Sequence, residues 1–158
     1  MKNKLLLSLS IAAFVFAVSS CSREKDDSPG LSDNALISLA NSNDLVNVDV
    51  HSTDSRLSQA PAFRIRMNHI AADACNGSFH SLPAVFPASS VLVKEYLDAS
   101  GSVTARDVMY KAPADSRNDG GWLWASYDAD GQNVYSASRR GSSCNSCHSG
   151  GTDKVIGF

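Results

Sequence analysis

The chain has 158 residues, 43% hydrophobic and 19% charged, which is enough for one domain of ordinary soluble composition. Its formal net charge of −2 excludes a basic nucleic-acid binder. Past the first twenty residues, no apolar run reaches the length of a spanning helix.

Lys2 and Lys4 open the chain, Leu5 to Val18 is apolar apart from Ser8 and Ser10, and Ser19, Ser20 and Cys21 follow. A basic start, a short apolar core and small residues at the cut read as an export signal over residues 1–20. Val18-Ser19-Ser20-Cys21 resembles the bacterial lipobox, in which the Cys becomes the lipidated first residue of the mature chain. Cleavage there leaves 138 residues with 12 basic and 16 acidic side chains, a charge of −4. Ser22 after the lipidated Cys is similar to the residue of lipoproteins sent to the outer membrane. The expectation is a periplasmic protein held to that membrane by lipid on Cys21. Thiols in that compartment are oxidised or occupied.

Residues 21–58 are rich in Ser, Asp and Asn and read as a flexible tether. Within it, Leu31 to Ala40 suits a short helix with Ser32 as N-cap. The folded domain is expected over residues 59–158. Phe63, Ile65 and Met67 alternate with Arg64, Arg66 and Asn68, the pattern of a half-buried strand. His69 to Cys75 is Ala-rich and suits a short helix, closed by Asn76-Gly77. Ser78 to Ser90, with Pro83 and Pro87, is a loop. Val91 to Leu97, Ser102 to Lys111 and Trp122 to Tyr127 read as strands, and Asp128 to Gly131 as a hairpin loop leading to a returning strand in Asn133 to Ser138. Arg139 to Thr152 reads as a Gly/Ser loop and Val155 to Phe158 as a tail. The fold class expected is α+β, mainly β: an antiparallel sheet with one or two short helices and a C-terminal loop.

That loop contains Cys144-Asn145-Ser146-Cys147-His148, a C-x-x-C-H motif. Two thiols at this spacing can add to the two vinyl groups on one edge of a porphyrin, and the adjacent imidazole then reaches the iron, so the motif reads as an attachment site for haem c. Zinc would require a second ligand pair, which Cys75 with His51, His69 or His80 supplies without ligand-like spacing. A redox dithiol would require a strand-to-helix context that the Gly/Ser loop does not offer. The ten residues after His148 contain no Met. Met67 and Met109 upstream read as core, which leaves an open position on the iron for small ligands such as NO. Long amphipathic helices are absent from the pattern, which excludes a four-helix-bundle cytochrome.

Four stretches resemble the cytochrome P-460 family: Phe63 to Asn68 with its Ala-rich turn; Phe86-Pro87-Ala88-Ser89-Ser90-Val91-Leu92-Val93-Lys94-Glu95, similar to F-P-x-G-x-V-x-V-K-E; Val108 to Lys111 with Gly120 to Trp122; and Cys144 to His148 with Asp153 to Ile156 as a closing strand. The resemblance implies a small, mostly β, periplasmic and often homodimeric protein. Its single c haem would be five-coordinate, with His148 on the iron and Cys144 and Cys147 as anchors. It implies oxidation of hydroxylamine, with electrons passed to a soluble acceptor; related members bind NO without turnover, and a simple electron-transfer lipoprotein is the remaining alternative. It also implies a covalent bond from Lys94 to the porphyrin. From pattern alone Lys94 is a strand residue sharing a face with Leu92 and Tyr96. By the same resemblance, Arg66 is a hydrogen-bond donor to a bound N–O group and Asp107 a proton acceptor. Arg139 and Arg140 are charges beside the haem loop. Ala88-Ser89-Ser90 lacks the Gly usual before the Lys strand.

Overall fold

The structure, a computed structural model, describes residues 30–52 and 62–157. The leader and Cys21 lie outside the described residues. Alternation of large apolar with polar side chains builds the framework. Phe63, Ile65 and Met67 are buried on one side of the strand Ala62–Met67, while Arg64 and Arg66 point to the other. Six strands form one antiparallel sheet: β1 Val46–Ser52, β2 Ala62–Met67, β3 Val91–Leu97, β4 Val103–Lys111, β5 Trp122–Asp128 and β6 Asn133–Tyr135. Their spatial order is their chain order, so every strand pairs only with its sequence neighbours.

The two faces bury different sets. One carries Phe63, Ile65, Met67, Leu92, Met109, Trp122 and Trp124, which cluster with Phe79, Phe86, Val155 and the helix α2, His69–Ala74. The other carries Val91, Val93, Val108, Leu123, Ala125 and Tyr127 beneath the helix α1, Asp33–Ala40. Each side chain of this size contributes about 1.5–3 kcal/mol on burial, so both faces are needed.

The helix α1 begins where Ser32 Oγ accepts a hydrogen bond from the Ala35 amide at 3.2 Å, as its sequence predicts. Its place does not fit the tether expected over residues 21–58. Leu36 and Ala40 are fully buried against the sheet. Tyr127 donates to the Asp33 carbonyl at 2.6 Å, and the Ala137 amide donates to Asp33 Oδ1 at 2.9 Å. β1 pairs with β2 through a register shift between Asn47 and Asp49. The folded part therefore includes residues 33–52 and does not begin at residue 59. The signal for β1 was Val46, Val48 and Val50 alternating with Asn47, Asp49 and His51, outweighed by the polar residues around them.

Before β3, Ser89 occupies the left-handed region at φ 67°. It stands where the resembling segment carries Gly, so the turn keeps its shape without the residue that adopts it most easily. Two loop expectations change. Asn145–His148 is one helical turn, α3, inside the segment read as a Gly/Ser loop. Residues 153–156 form no closing strand: Thr152 and Val155 make an isolated antiparallel bridge around a tight turn.

Candidate haem pocket

Arg140 and Gly141, both left-handed at φ 52° and 62°, turn the chain toward the first face of the sheet. Gly141 lies so close to Trp124 that a Cβ there would sit 2.7 Å from the indole Cδ1. This close approach lets α3 lie against β5. The His148 amide donates to the Cys144 carbonyl at 3.1 Å, closing a helical turn. Positions i, i+3 and i+4 of such a turn share one side. Cys144, Cys147 and His148 accordingly line one cavity of about 370 Å³. Neither thiol is in a disulfide.

The imidazole of His148 is held on two sides. Its Nδ1 lies 2.7 Å from the Lys154 carbonyl, which fixes Nδ1 as the donor and leaves Nε2 with its lone pair. Trp124 meets the ring edge-on, with centroids 4.8 Å apart. The indole Nε1 of Trp124 is buried and has no hydrogen-bond partner among the described residues.

Across the cavity, the wall is β3, β4 and β5. Lys94 and Asp107 are cross-strand partners there, and both line the cavity with Tyr96, Met109 and Ser126. Asp107 accepts from Tyr96 Oη at 2.5 Å and from Ser126 Oγ at 2.6 Å. The Lys94 ammonium sits 4.2 Å over the Phe63 ring and 4.9 Å from the Tyr96 ring centroid. Burial pulls the Lys94 pKa below its ordinary 10.5, while the negative charge of Asp107 opposes that pull. Burial, then Asp107 as neighbour and hydrogen-bond partner, drives the Tyr96 phenol well above its ordinary 10. Burial, with Asp107 adding to it, also raises the Cys144 thiol to about 11.

The remaining sequence candidates separate. Arg66 does not reach the cavity. Its parity on β2 is opposite to that of Ile65, so it projects to the other face, bonding Glu95 at 3.4 Å and the Ser42 and Leu45 carbonyls at 3.1 Å each. Glu95, 1% exposed, gathers Arg64, Arg66 and Arg106 there. Met67 is buried core, His69 and His80 are exposed off the cavity, and His51 lies on β1. Arg139 stacks over Tyr135 at 4.6 Å, and Arg140 donates to the Ser116 carbonyl. Cys75 is buried behind α2, and burial raises its thiol pKa. Tyr96 and Ser126 escaped sequence reasoning as site residues, because only the strand register brings them to Asp107.

Two thiols and an imidazole on one helical turn, beside a largely apolar cavity, fit a haem attached through Cys144 and Cys147 and ligated by His148. Among the described residues, no group of three or more His, Cys, Asp and Glu side chains gathers to hold a bare metal ion. Comparison with curated proteins gives no match. The cytochrome P460 family model matches residues 42–155, starting just before β1 and ending after α3. The chain belongs to the cytochrome P460 family of c-type haem proteins.

Proposed function

We propose that the protein oxidises hydroxylamine, or a related small nitrogen compound, at a haem iron open on one side, and passes the electrons to a soluble acceptor. One observation carries this reading: Lys94 and Asp107 face each other in register on the wall of the cavity that Cys144, Cys147 and His148 close. The haem supplies the redox centre. Cys144 and Cys147 would hold the haem through two thioethers, each made by a thiol S–H adding across a vinyl C=C. His148 would offer its Nε2 lone pair to the iron while the Lys154 carbonyl holds the Nδ1 proton. Oxidation at nitrogen releases protons. The Asp107 carboxylate, already bonded by a phenol and a hydroxyl, takes one up and is steadied in orientation by Tyr96 and Ser126. Burial of Lys94 enlarges its neutral fraction, the form whose nitrogen has a lone pair for a bond to the porphyrin edge; that bond would replace one N–H and one ring C–H, with two protons and two electrons passing to an external two-electron oxidant.

Met109 in the same wall favours a second reading, electron transfer through six-coordinate iron. Ligand titration separates the two, since a six-coordinate haem resists NO and an open one binds it. Turnover with an electron acceptor separates oxidation from NO binding alone. The optical spectrum of the reduced protein tests the cross-link. We expect a strongly red-shifted Soret band in the wild type and an ordinary c-type band in Lys94→Leu; identical spectra would remove the Lys94 bond. The leader and Cys21 support lipid anchoring at the periplasmic side of the outer membrane, to be read from the mass of the mature N-terminus.

A further inference from the structure

The Lys154 carbonyl that holds His148 belongs to a turn built against local preference. Asp153 and Lys154 are both left-handed, at φ 47° and 66°, and the Val155 amide donates back to the Thr152 carbonyl at 2.8 Å. A tight turn with two left-handed central residues favours Gly, Asn or Asp, and Lys is a poor occupant. Contacts outside the turn hold it. Lys111 Nζ, at the end of β4, reaches Asp153 Oδ1 at 2.6 Å and Oδ2 at 2.8 Å, with the Gly120 carbonyl at 3.3 Å. Lys111 is 5% exposed, and its ammonium lies 4.8 Å from the Trp122 ring centroid. The Phe86 amide donates to Asp153 Oδ2 at 2.8 Å, and Trp122 Nε1 donates to the Asp153 carbonyl at 2.8 Å. A buried ion pair is an expensive way to secure a loop, because both ions lose their water. Persistent left-handed residues signal a conformation that the surroundings over-determine.

The geometry points to Lys111 and Asp153 as positioning residues for the haem ligand: their buried pair locks the 153–154 turn, so that the Lys154 carbonyl keeps its hydrogen bond to His148 Nδ1 and sets the imidazole's orientation and electron donation. The inference rests on His148 being the iron ligand. A carbonyl accepting from Nδ1–H makes the opposite nitrogen a stronger donor. Strong donation by an axial ligand lowers the reduction potential. Neither Lys111 nor Asp153 lines the cavity, so neither touches substrate.

The test uses the holoprotein, with Asp153→Asn and Lys111→Gln. Asn tolerates the left-handed region and still accepts from the Phe86 amide, so Asp153→Asn keeps the turn's local chemistry and removes only the ionic lock. Resonance Raman spectroscopy reads the iron–histidine stretch, and potentiometry reads the reduction potential. Both variants are expected to lower the stretching frequency and raise the potential. A variant that melts earlier yet keeps both readouts at wild-type values would show Lys111–Asp153 to be a stability element only and overturn the inference. Absence of an iron–histidine band in the reduced wild type would instead defeat the premise of an open iron ligated by His148, a different failure.

Discussion

Cys144 and Cys147 are the same residue type three positions apart, yet the fold gives them different chemistry. Cys147 is exposed, whereas Cys144 is half-buried with its thiol raised to about 11 by burial and by Asp107. The thiolate is the reacting form, so at neutral pH Cys144 holds roughly a hundredfold less of it than a thiol at the ordinary value of 9.0. In the haem-free protein, alkylation followed by peptide mapping should label Cys147 first. Labelling of Cys144 should then quicken about tenfold per pH unit toward pH 11. A plateau near pH 9 would contradict the burial. At this scale the sequence was legible where chemistry is local: five consecutive residues carry the C-x-x-C-H motif, and the fold sets its two thiols and imidazole on one cavity. It was illegible where partners are distant. Asp107 gains its phenol and hydroxyl from β3 and β5. Arg66 was assigned to the pocket by resemblance, although its alternation with Ile65 already put it on the other face.

Between residue and molecule, the turns carry most of the departures from expectation. Ser89 supports the start of β3: its carbonyl accepts from Asn68 Nδ2 at 2.8 Å, and its amide donates to the Lys111 carbonyl at 2.8 Å. Both bonds use backbone atoms of Ser89, so a residue without a side chain keeps them. Replacing Ser89 with Gly removes the Cβ clash of the left-handed region but adds freedom to the unfolded chain. The net effect should be a gain of about 1 kcal/mol, read from chemical denaturation. A loss of stability would mean that the Tyr110–Ser89 hydroxyl contact outweighs the backbone term. The strands from β2 to β6 followed from alternation and turn residues. β1 did not, because a bulge at Asn47–Asp49 and polar flanks weaken its alternation. The single turn α3 was hidden because Asn145 and Ser146, flanked by Ser142, Ser143 and Ser149, make the segment poor in helix formers, and only its closing hydrogen bonds reveal it.

Across the whole molecule, the sheet divides labour between its faces. The face under α2 holds the cavity, and the face under α1 packs a separate apolar core behind it. Leu36, fully buried on α1, tests that division. Leu36→Ala should cost about 2–5 kcal/mol in denaturant unfolding while the haem spectrum stays at wild type. A stability unchanged by the substitution would return α1 to the tether. A changed spectrum would couple the two faces more tightly than their separate cores imply. The mainly β class was legible because alternation is a local signal. The boundary at residue 59 was not, because the short helix read at α1 lies between polar stretches, and its attachment appears only where Leu36 and Ala40 meet the sheet. The unbroken strand order has a kinetic consequence. Every strand finds its partner next along the chain, but the connections differ: β3, β4 and β5 are joined by the short segments 98–102 and 112–121, whereas pairing β2 with β3 must close residues 68–90. Nucleation is therefore favoured in β3, β4 and β5. The wall bearing Lys94 and Asp107 needs only β3, β4 and β5, and so can be complete before Cys144 to His148 are in place. Haem capture then comes late: the thiols arrive at a finished surface, and a chain awaiting its cofactor need not wait unfolded.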